Sequence, residues 1–189
     1  MTTARRDPRH DSLFKPVRFG PKTVRNRFYQ VLHCTGFGVF KTYSHAAHRA
    51  IRAEGAWAGV CTEFVPVSWD SDEASFVPAQ LIDGDDLACL ALMADAVQDP
   101  GALAGIGFTH AGEQASTQGS REPSVAPPQI MSDSFTYQAP KAMEKADIFR
   151  VQEDWARATR QAASAGFNIV YAYGGTGHLP TQFLSPAIQ

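Results

Sequence analysis

The sequence predicts a parallel α/β fold, in which buried strands alternate with amphipathic helices. Two observations lead to this prediction. Near-continuous apolar runs of strand length recur along the chain, as in sheets that are covered on both faces. After an opening strand, the order of helix, glycine and apolar strand occurs three times. Periodicity alone leaves two architectures open, an open doubly wound sheet and part of a (β/α)8 barrel.

Composition indicates a single globular domain with a substantial core. The chain has 189 residues, 44% of them hydrophobic, and a formal net charge of -2, so neither nucleic acid nor an anionic membrane is expected as a partner. Three cysteines, an odd number without a Cys-x-x-Cys pair, favour a reducing, cytoplasmic setting. Apolar runs fall short of the ~18 residues that a membrane-spanning helix needs.

The amino-terminal segment 1–25 is predicted to form a polar arm followed by a hairpin. Short apolar pieces flank Gly20-Pro21-Lys22, which is typical of a turn between two strands. We expect this hairpin to cap one end of the sheet. The remainder, 26–189, then carries four strands and three helices within the same domain.

Each later element is predicted from apolar spacing and from the residues that end it. The second helix is the clearest, because its apolar residues lie on one stripe and acids crowd its first turn. The long segment 110–145 is rich in Ser, Pro, Gln and Gly and is predicted to be a functional or flexible loop. Strands are predicted at 28–34, 58–67, 102–108 and 167–173, and helices at 44–54, 83–98 and 147–165.

Parallel strands end on the same side of a sheet, so their last residues are expected to share one mouth. These residues are His33, Cys34, His110, Tyr173 and, from the loop after the fourth strand, His178. A thiol beside a histidine is either a nucleophile or cofactor anchor, or a small buried hydrophobic residue. Tyr173 is either a proton or hydrogen-bond donor or a packing residue.

Two other patterns are weaker. The loop 174–177 is glycine-rich but lacks the lysine of a P-loop, so a tight turn is the better interpretation. His45 and His48 have the spacing of neighbours on a helix, but no third ligand accompanies them. A solvated helix face is therefore favoured there, and no metal site is predicted.

Several segments together resemble a known family. They include Gly20-Pro21-Lys22-Thr23, Asn26-Arg27-Phe28-Tyr29-Gln30-Val31, His33-Cys34, Ala53-Glu54-Gly55, Ala165-Gly166-Phe167 and Gln182-Phe183-Leu184. On these motifs the chain resembles the amino-terminal part of the old yellow enzyme-like FMN oxidoreductases. Within that family it is most similar to the trimethylamine, dimethylamine and histamine dehydrogenase group.

The resemblance implies the first four strands of a (β/α)8 barrel that carries FMN, with Val31, Leu32 and His33 lining the flavin and Cys34 bonded covalently to it. It also implies oxidation of a small alkylated or primary amine, with transfer of a hydride equivalent to the flavin. Electrons then leave through an iron–sulfur cluster to an acceptor. The cluster and the phosphate-binding strands belong to parts of the family that follow residue 189.

The chain departs from the family at positions near the flavin. Gly107 stands where the family has a Gln or Glu that hydrogen-bonds the flavin. Tyr173 is kept, but Thr176 occupies the position of a histidine that His178 would have to replace. Phe64 stands where trimethylamine dehydrogenases place a tyrosine of the cage for a cationic substrate, and a phenyl ring can still hold an alkylammonium group.

Two functional hypotheses follow. The chain is either the amino-terminal fragment of a longer flavin-dependent amine dehydrogenase, or an inactive half-barrel that acts by pairing with a complementary chain or a second copy. Retention of His33, Cys34 and Tyr173 favours the first, and Gly107 and Thr176 favour the second. In either case, we expect the 189 residues alone neither to bind FMN tightly nor to turn over, because half of the cofactor site would be missing.

Overall fold

The chain begins with a short helix and a hairpin. The structure, a computed structural model, describes residues 7–38, 40–71, 79–81, 83–116, 118, 120–127 and 139–186. A 3-10 helix at Pro8–Phe14 precedes antiparallel strands β1 (Val17–Phe19) and β2 (Lys22–Val24). Gly20 makes the turn with a φ of +57°, a conformation that glycine adopts without strain. The hairpin predicted around this turn is therefore present.

The remaining elements form a parallel sheet with helices between its strands. In chain order they are β3 (Tyr29–Gln30), α1 (Thr42–Glu54), β4 (Gly59–Pro66), α2 (Gly84–Gln98), β5 (Leu103–Thr109), β6 (Val125–Ala126), β7 (Lys141–Ala142), α3 (Lys145–Ser164), β8 (Ile169–Ala172) and α4 (Leu179–Leu184). The main sheet has the order β3-β4-β5-β8, and each neighbouring pair is parallel. The prediction of an α/β fold with a parallel sheet is confirmed.

The first predicted strand was too long. Residues 28–34 were expected to be extended, but the ladder covers only Tyr29 and Gln30. Further along, the amide of His33 still donates to the carbonyl of Thr62 at 3.3 Å. The carbonyl of His33, however, accepts from Arg49 of α1, so a helix side chain replaces the neighbouring strand as its partner.

Helix α2 shows why local signals predicted its position closely. Asp83 caps the helix by accepting from the amides of Asp85 and Asp86, and the Asp86 carboxylate accepts from the amide of Asp83 in return. Its predicted apolar stripe packs into the core, with Leu90 and Met93 almost completely buried. The helix therefore begins and ends where its own residues require.

The core lies between the sheet and the three long helices. It combines outward-facing residues of β4 and β5 with the inner stripes of α1, α2 and α3, among them Val60, Val65, Ile106, Phe108, Met93 and Ala158. At the opposite face of the sheet, the amino ends of the strands meet the hairpin across an apolar cavity of about 390 Å³. The hairpin thus covers the end of the sheet away from the strand carboxyl ends.

Strand β8 is an open edge of the sheet. It pairs with β5 on one side, and no strand of the described residues pairs with its other side. Val170 is 41% exposed and Tyr171 is 38% exposed, which is unusual for a strand of a parallel sheet. Exposed edges of this kind favour pairing with a further strand.

Within the described ranges, each helix is too short or too polar to cross a bilayer.

Candidate functional site

A bulge in β4 determines which side chains reach the inner face of the sheet. The register between β4 and β5 shifts between Cys61 and Phe64. Cys61 lies against the inner position of Gly105, and Val60 and Val65 both pack outward although they are five residues apart. The odd spacing requires the extra residue, and bulges of this kind re-aim side chains near functional sites. Phe64 therefore joins Cys61 on the inner face.

Phe64, Tyr173 and His178 form an aromatic cluster at the carboxyl ends of β4 and β8. The ring centroids of Phe64 and Tyr173 are 4.7 Å apart, and those of Phe64 and His178 are 5.6 Å apart. Tyr173 meets His178 edge to face at 5.0 Å. Three residues distant in sequence thus present ring surface to one region of the inner face.

His178 is fixed at the base of this cluster. Its Nδ1 shares a hydrogen bond with the hydroxyl of Thr109, the last residue of β5, and its side chain is fully buried. It is also the residue before α4, where its carbonyl accepts from the amides of Thr181 and Gln182. The histidine expected from the loop after the fourth strand therefore packs into the cluster.

Thr176 lies beside the same tyrosine but faces outward. Its hydroxyl is 3.3 Å from the Tyr173 hydroxyl, and the residue is exposed. Its φ is +50°, which is unusual for a β-branched residue. Its carbonyl accepts from the side chain of Gln114 at 2.9 Å, so the strained turn is tied to the loop after β5.

Leu32 occupies the space that a side chain at position 107 would fill. A Cβ built on Gly107 would overlap the Leu32 side chain, and Gly107 pairs with Phe64 in the ladder. The neighbouring Val31 is 57% exposed. Leu32 therefore connects the first strand to the aromatic cluster through Gly107 and Phe64.

Two buried charged residues hold the segment that carries Cys34. Arg49 of α1 donates from Nη2 to the carbonyl of His33. Glu63 of β4 accepts from the amides of Thr35 at 2.8 Å, Gly36 at 3.3 Å and Gly38 at 2.8 Å. Cys34 lies between these anchoring points and is partly exposed.

Burial by itself raises the pKa of Glu63, but the amides that it accepts from, together with His45, lower that pKa below its ordinary value. The carboxylate is therefore ionised at neutral pH. Sequence reasoning missed both Glu63 and Arg49. A glutamate inside an otherwise apolar strand was the signal that could have identified the first.

Two histidines lie where the sequence analysis did not expect them. His110 was expected at the mouth, but its fully buried ring lies 3.7 Å from the Asp70 carboxylate, which also accepts from Arg150 of α3. His110 comes two residues after Phe108, whose side chain faces outward, and alternate residues of a strand point to the same side. The His110 side chain therefore points toward the helices. His45 was assigned to a solvated helix face but is 3% exposed.

The expected site residues are thus divided into two groups. Phe64, Tyr173, Thr176 and His178 are brought together, and Leu32 connects them to Gly107. His33 instead faces α1, with its ring centroid 6.3 Å from that of His48. Cys34 is near Arg49, which donates to the carbonyl of the preceding residue.

Comparisons with known proteins place this arrangement in context. The family model described as NADH:flavin oxidoreductase / NADH oxidase matches residues 12–189. The chain is 36% identical to dimethylamine dehydrogenase of Hyphomicrobium sp. (strain x), over 96% of this chain and 25% of that protein. It therefore spans about a quarter of that relative, and 51% of an NADPH dehydrogenase of Geobacillus sp. (strain WCH70).

Solved structures agree with this assignment. Histamine dehydrogenase from Rhizobium sp. 4-9 superposes with a TM-score of 0.90 at 34% identity, covering 97% of this chain and 28% of that one. An old yellow enzyme homologue from Zymomonas mobilis has a TM-score of 0.82 at 22% identity, covering 94% and 52%, and supports the fold alone.

Proposed function

Because the chain belongs to the NADH:flavin oxidoreductase / NADH oxidase family, we propose that it forms the amino-terminal part of an FMN-dependent enzyme that oxidises a small amine. The likeness to dimethylamine and histamine dehydrogenases supports the amine class. The observation that carries the proposal is the contact of Leu32 with Gly107, which places an apolar surface beside the aromatic cluster.

The described residues fit a flavin on this surface. Val31, just after the first strand, is 57% exposed, and Leu32 covers Gly107 with apolar side-chain surface. A flat aromatic ring would cover such a surface and remove apolar area from water. By the resemblance to the family, Val31 and His33 would line the ring together with Leu32, although the His33 ring lies beside His48 of α1 in this structure. The partly exposed thiol of Cys34 would provide the covalent attachment. When bound, FMN supplies a two-electron acceptor.

The aromatic cluster provides the substrate side of the same surface. The face of Phe64 can hold an alkylammonium group by cation–π attraction. The Tyr173 hydroxyl, within reach of the Thr176 hydroxyl, is the proton-transfer group of the proposal, and the buried His178 ring fixes the orientation of Tyr173. In this proposal an iron–sulfur cluster outside residues 1–189 would supply the onward electron acceptor.

A second candidate function is supported by the exposed edge of β8. An open edge with Val170 and Tyr171 exposed would be covered if another strand paired with it. This strand would come from a complementary chain or a second copy if the protein is an inactive half-barrel. Leu32 fills the space beside Gly107, where the family has a Gln or Glu that hydrogen-bonds the flavin. The absence of that side chain also favours this alternative.

An anaerobic reduction experiment tests the amine proposal. The complete reading frame is purified from riboflavin-replete cells, and dimethylamine, histamine or NADPH is added without oxygen. We expect an amine to bleach the flavin absorbance. Tyr173→Phe should slow this reaction by about 100-fold, because it removes a proton-transfer group.

Tyr171→Phe is the matched control, since its ring lies 6.2 Å from that of Tyr173, two residues further along the chain. It should leave the rate within about twofold, because Tyr171 carries no step of the proposal. Bleaching by NADPH alone would replace the amine proposal with an NADPH dehydrogenase. Protein that contains no flavin would support the half-barrel instead.

A further inference from the structure

Cys34 is held between a buried guanidinium and a buried carboxylate, and we propose that Arg49 is a positioning residue that keeps the Cys34 thiol ionised. This inference rests on the proposed function, because a thiolate is the reactive form of a cysteine that attaches a cofactor. Arg49 contacts neither substrate nor flavin in this proposal. It acts through the residue beside the cysteine.

The position of Arg49 is unusual for an arginine. Its side chain is fully buried between α1 and the first strand, and Nη2 donates to the carbonyl of His33. Among the described residues, neither Nε nor Nη1 has a hydrogen-bond partner. A buried cation without full pairing is costly, so its retention calls for an anionic group nearby.

Glu63 is the main negative charge beside Arg49, but its hydrogen bonds go to other groups. Its two carboxylate oxygens accept from the amides of Thr35, Gly36, Gly38 and Ala79, and from the Thr35 hydroxyl. These donors already stabilise the negative charge of Glu63. The positive charge of Arg49 has no comparable set of acceptors within the described residues.

The electrostatic balance around Arg49 agrees with this geometry. Burial lowers the pKa of Arg49, and Arg52 lowers it further; Glu63 opposes this change most, and Cys61 and Cys34 oppose it less. His45 does not add positive charge at neutral pH, because burial lowers its pKa to about 4. The titratable groups around the Cys34 segment are Arg49, Arg52, His45 and His48 of α1, Glu63 and Cys61 of β4, and His33 beside the cysteine itself.

Alkylation of Cys34 measures its ionisation without any flavin. The complete reading frame is produced in riboflavin-depleted cells, and iodoacetamide labelling of the Cys34 peptide is followed by mass spectrometry from pH 5 to 10. We expect half-maximal reactivity well below the ordinary thiol value of about 8.5. Arg49→Gln should raise that midpoint by about one pH unit and slow labelling at pH 7 by about tenfold.

Arg49→Lys keeps the charge and should restore most of the wild-type profile, which a purely structural role would not predict. Arg52→Gln removes a cation from the same helix that does not contact His33 and should leave the midpoint unchanged. Cys61, whose pKa is raised by burial, should stay unlabelled in every folded variant and reports unfolding.

Coincident wild-type and Arg49→Gln profiles would overturn the proposal. If Arg49→Gln does not fold, the wild-type protein decides, since a Cys34 midpoint at or above about 8.5 contradicts it equally. Failure of this inference can be told apart from failure of the proposed function. If the protein never binds flavin but Arg49→Gln still shifts the labelling profile of Cys34, the proposed function fails and this inference stands.

Discussion

Replacing Glu63 with glutamine is expected to lower the free energy of unfolding by about 3 to 5 kcal/mol. Both carboxylate oxygens act as acceptors: one serves Thr35 and Gly36, the other Gly38 and Ala79. A glutamine has one oxygen and one NH2 group, so at least two of these four amides would face a donor. Each unsatisfied buried group costs about 1 to 3 kcal/mol, and loss of the charge adds to this.

Urea denaturation of the two proteins measures the difference. Glu153→Gln is the matched control, because Glu153 lies exposed on α3, and its effect should stay below about 0.5 kcal/mol. Equal urea midpoints for Glu63→Gln and wild type would show that the Thr35–Gly38 loop does not depend on the carboxylate. In that case, the account of how the Cys34 segment is held would be wrong.

Acidification is expected to destabilise the fold between pH 6.5 and pH 4, by about 3 kcal/mol or more in total. Burial lowers the pKa of His45 and of His110 to about 4, although Glu63 and Asp70 respectively oppose this. Unfolded histidines titrate near 6.5, so in this window the unfolded chain binds protons that the folded chain excludes. Stability is therefore fully present above about pH 6.5 and falls as the pH decreases.

Urea midpoints at pH 7.5, 6 and 4.5 test this directly. His110→Asn should reduce the slope between pH 6 and 4.5, because it removes one of the two buried groups. His10→Asn changes an exposed histidine of the amino-terminal arm and should leave the slope unaltered. An identical midpoint at pH 7.5 and 4.5 for the wild-type protein would contradict the burial of both rings.

The parts of this fold that sequence predicted well are those determined by local residues. Helix α2 is an example, because its capping aspartates and its apolar stripe are neighbours along the chain. The hairpin is another, since Gly20 supplies the turn. The parallel arrangement of the main strands followed from their apolar runs and the helices between them.

The missed features depend on contacts between distant segments. The first strand ends early because Arg49 donates a hydrogen bond to the carbonyl of His33. No pattern within residues 28–34 predicts this contact. The bulge in β4 reverses the side to which Phe64 points, which simple alternation does not reveal. His110 was predicted at the mouth because the sequence does not reveal its contacts. In the structure its side chain faces the helices and lies beside Asp70.

The candidate site was predicted in part. Tyr173 and His178 were selected by their positions at and after the end of a strand, Phe64 by resemblance to the family, and the three lie together. The contact between Leu32 and Gly107 was not predicted. The sequence shows that position 107 lacks a side chain, but it does not show which distant side chain fills the space. Glu63 and Arg49 were overlooked, since charged residues are seldom fully buried.

We propose that FMN is bonded covalently to Cys34, and the mass of the Cys34 peptide tests this proposal. The complete reading frame is purified from riboflavin-replete cells, precipitated with acid, and digested. We expect the yellow colour to stay with the precipitate and the Cys34 peptide to carry the mass of FMN, while Cys34→Ala releases the colour. An unmodified Cys34 peptide from a yellow protein, with all colour in the supernatant, would contradict the claim.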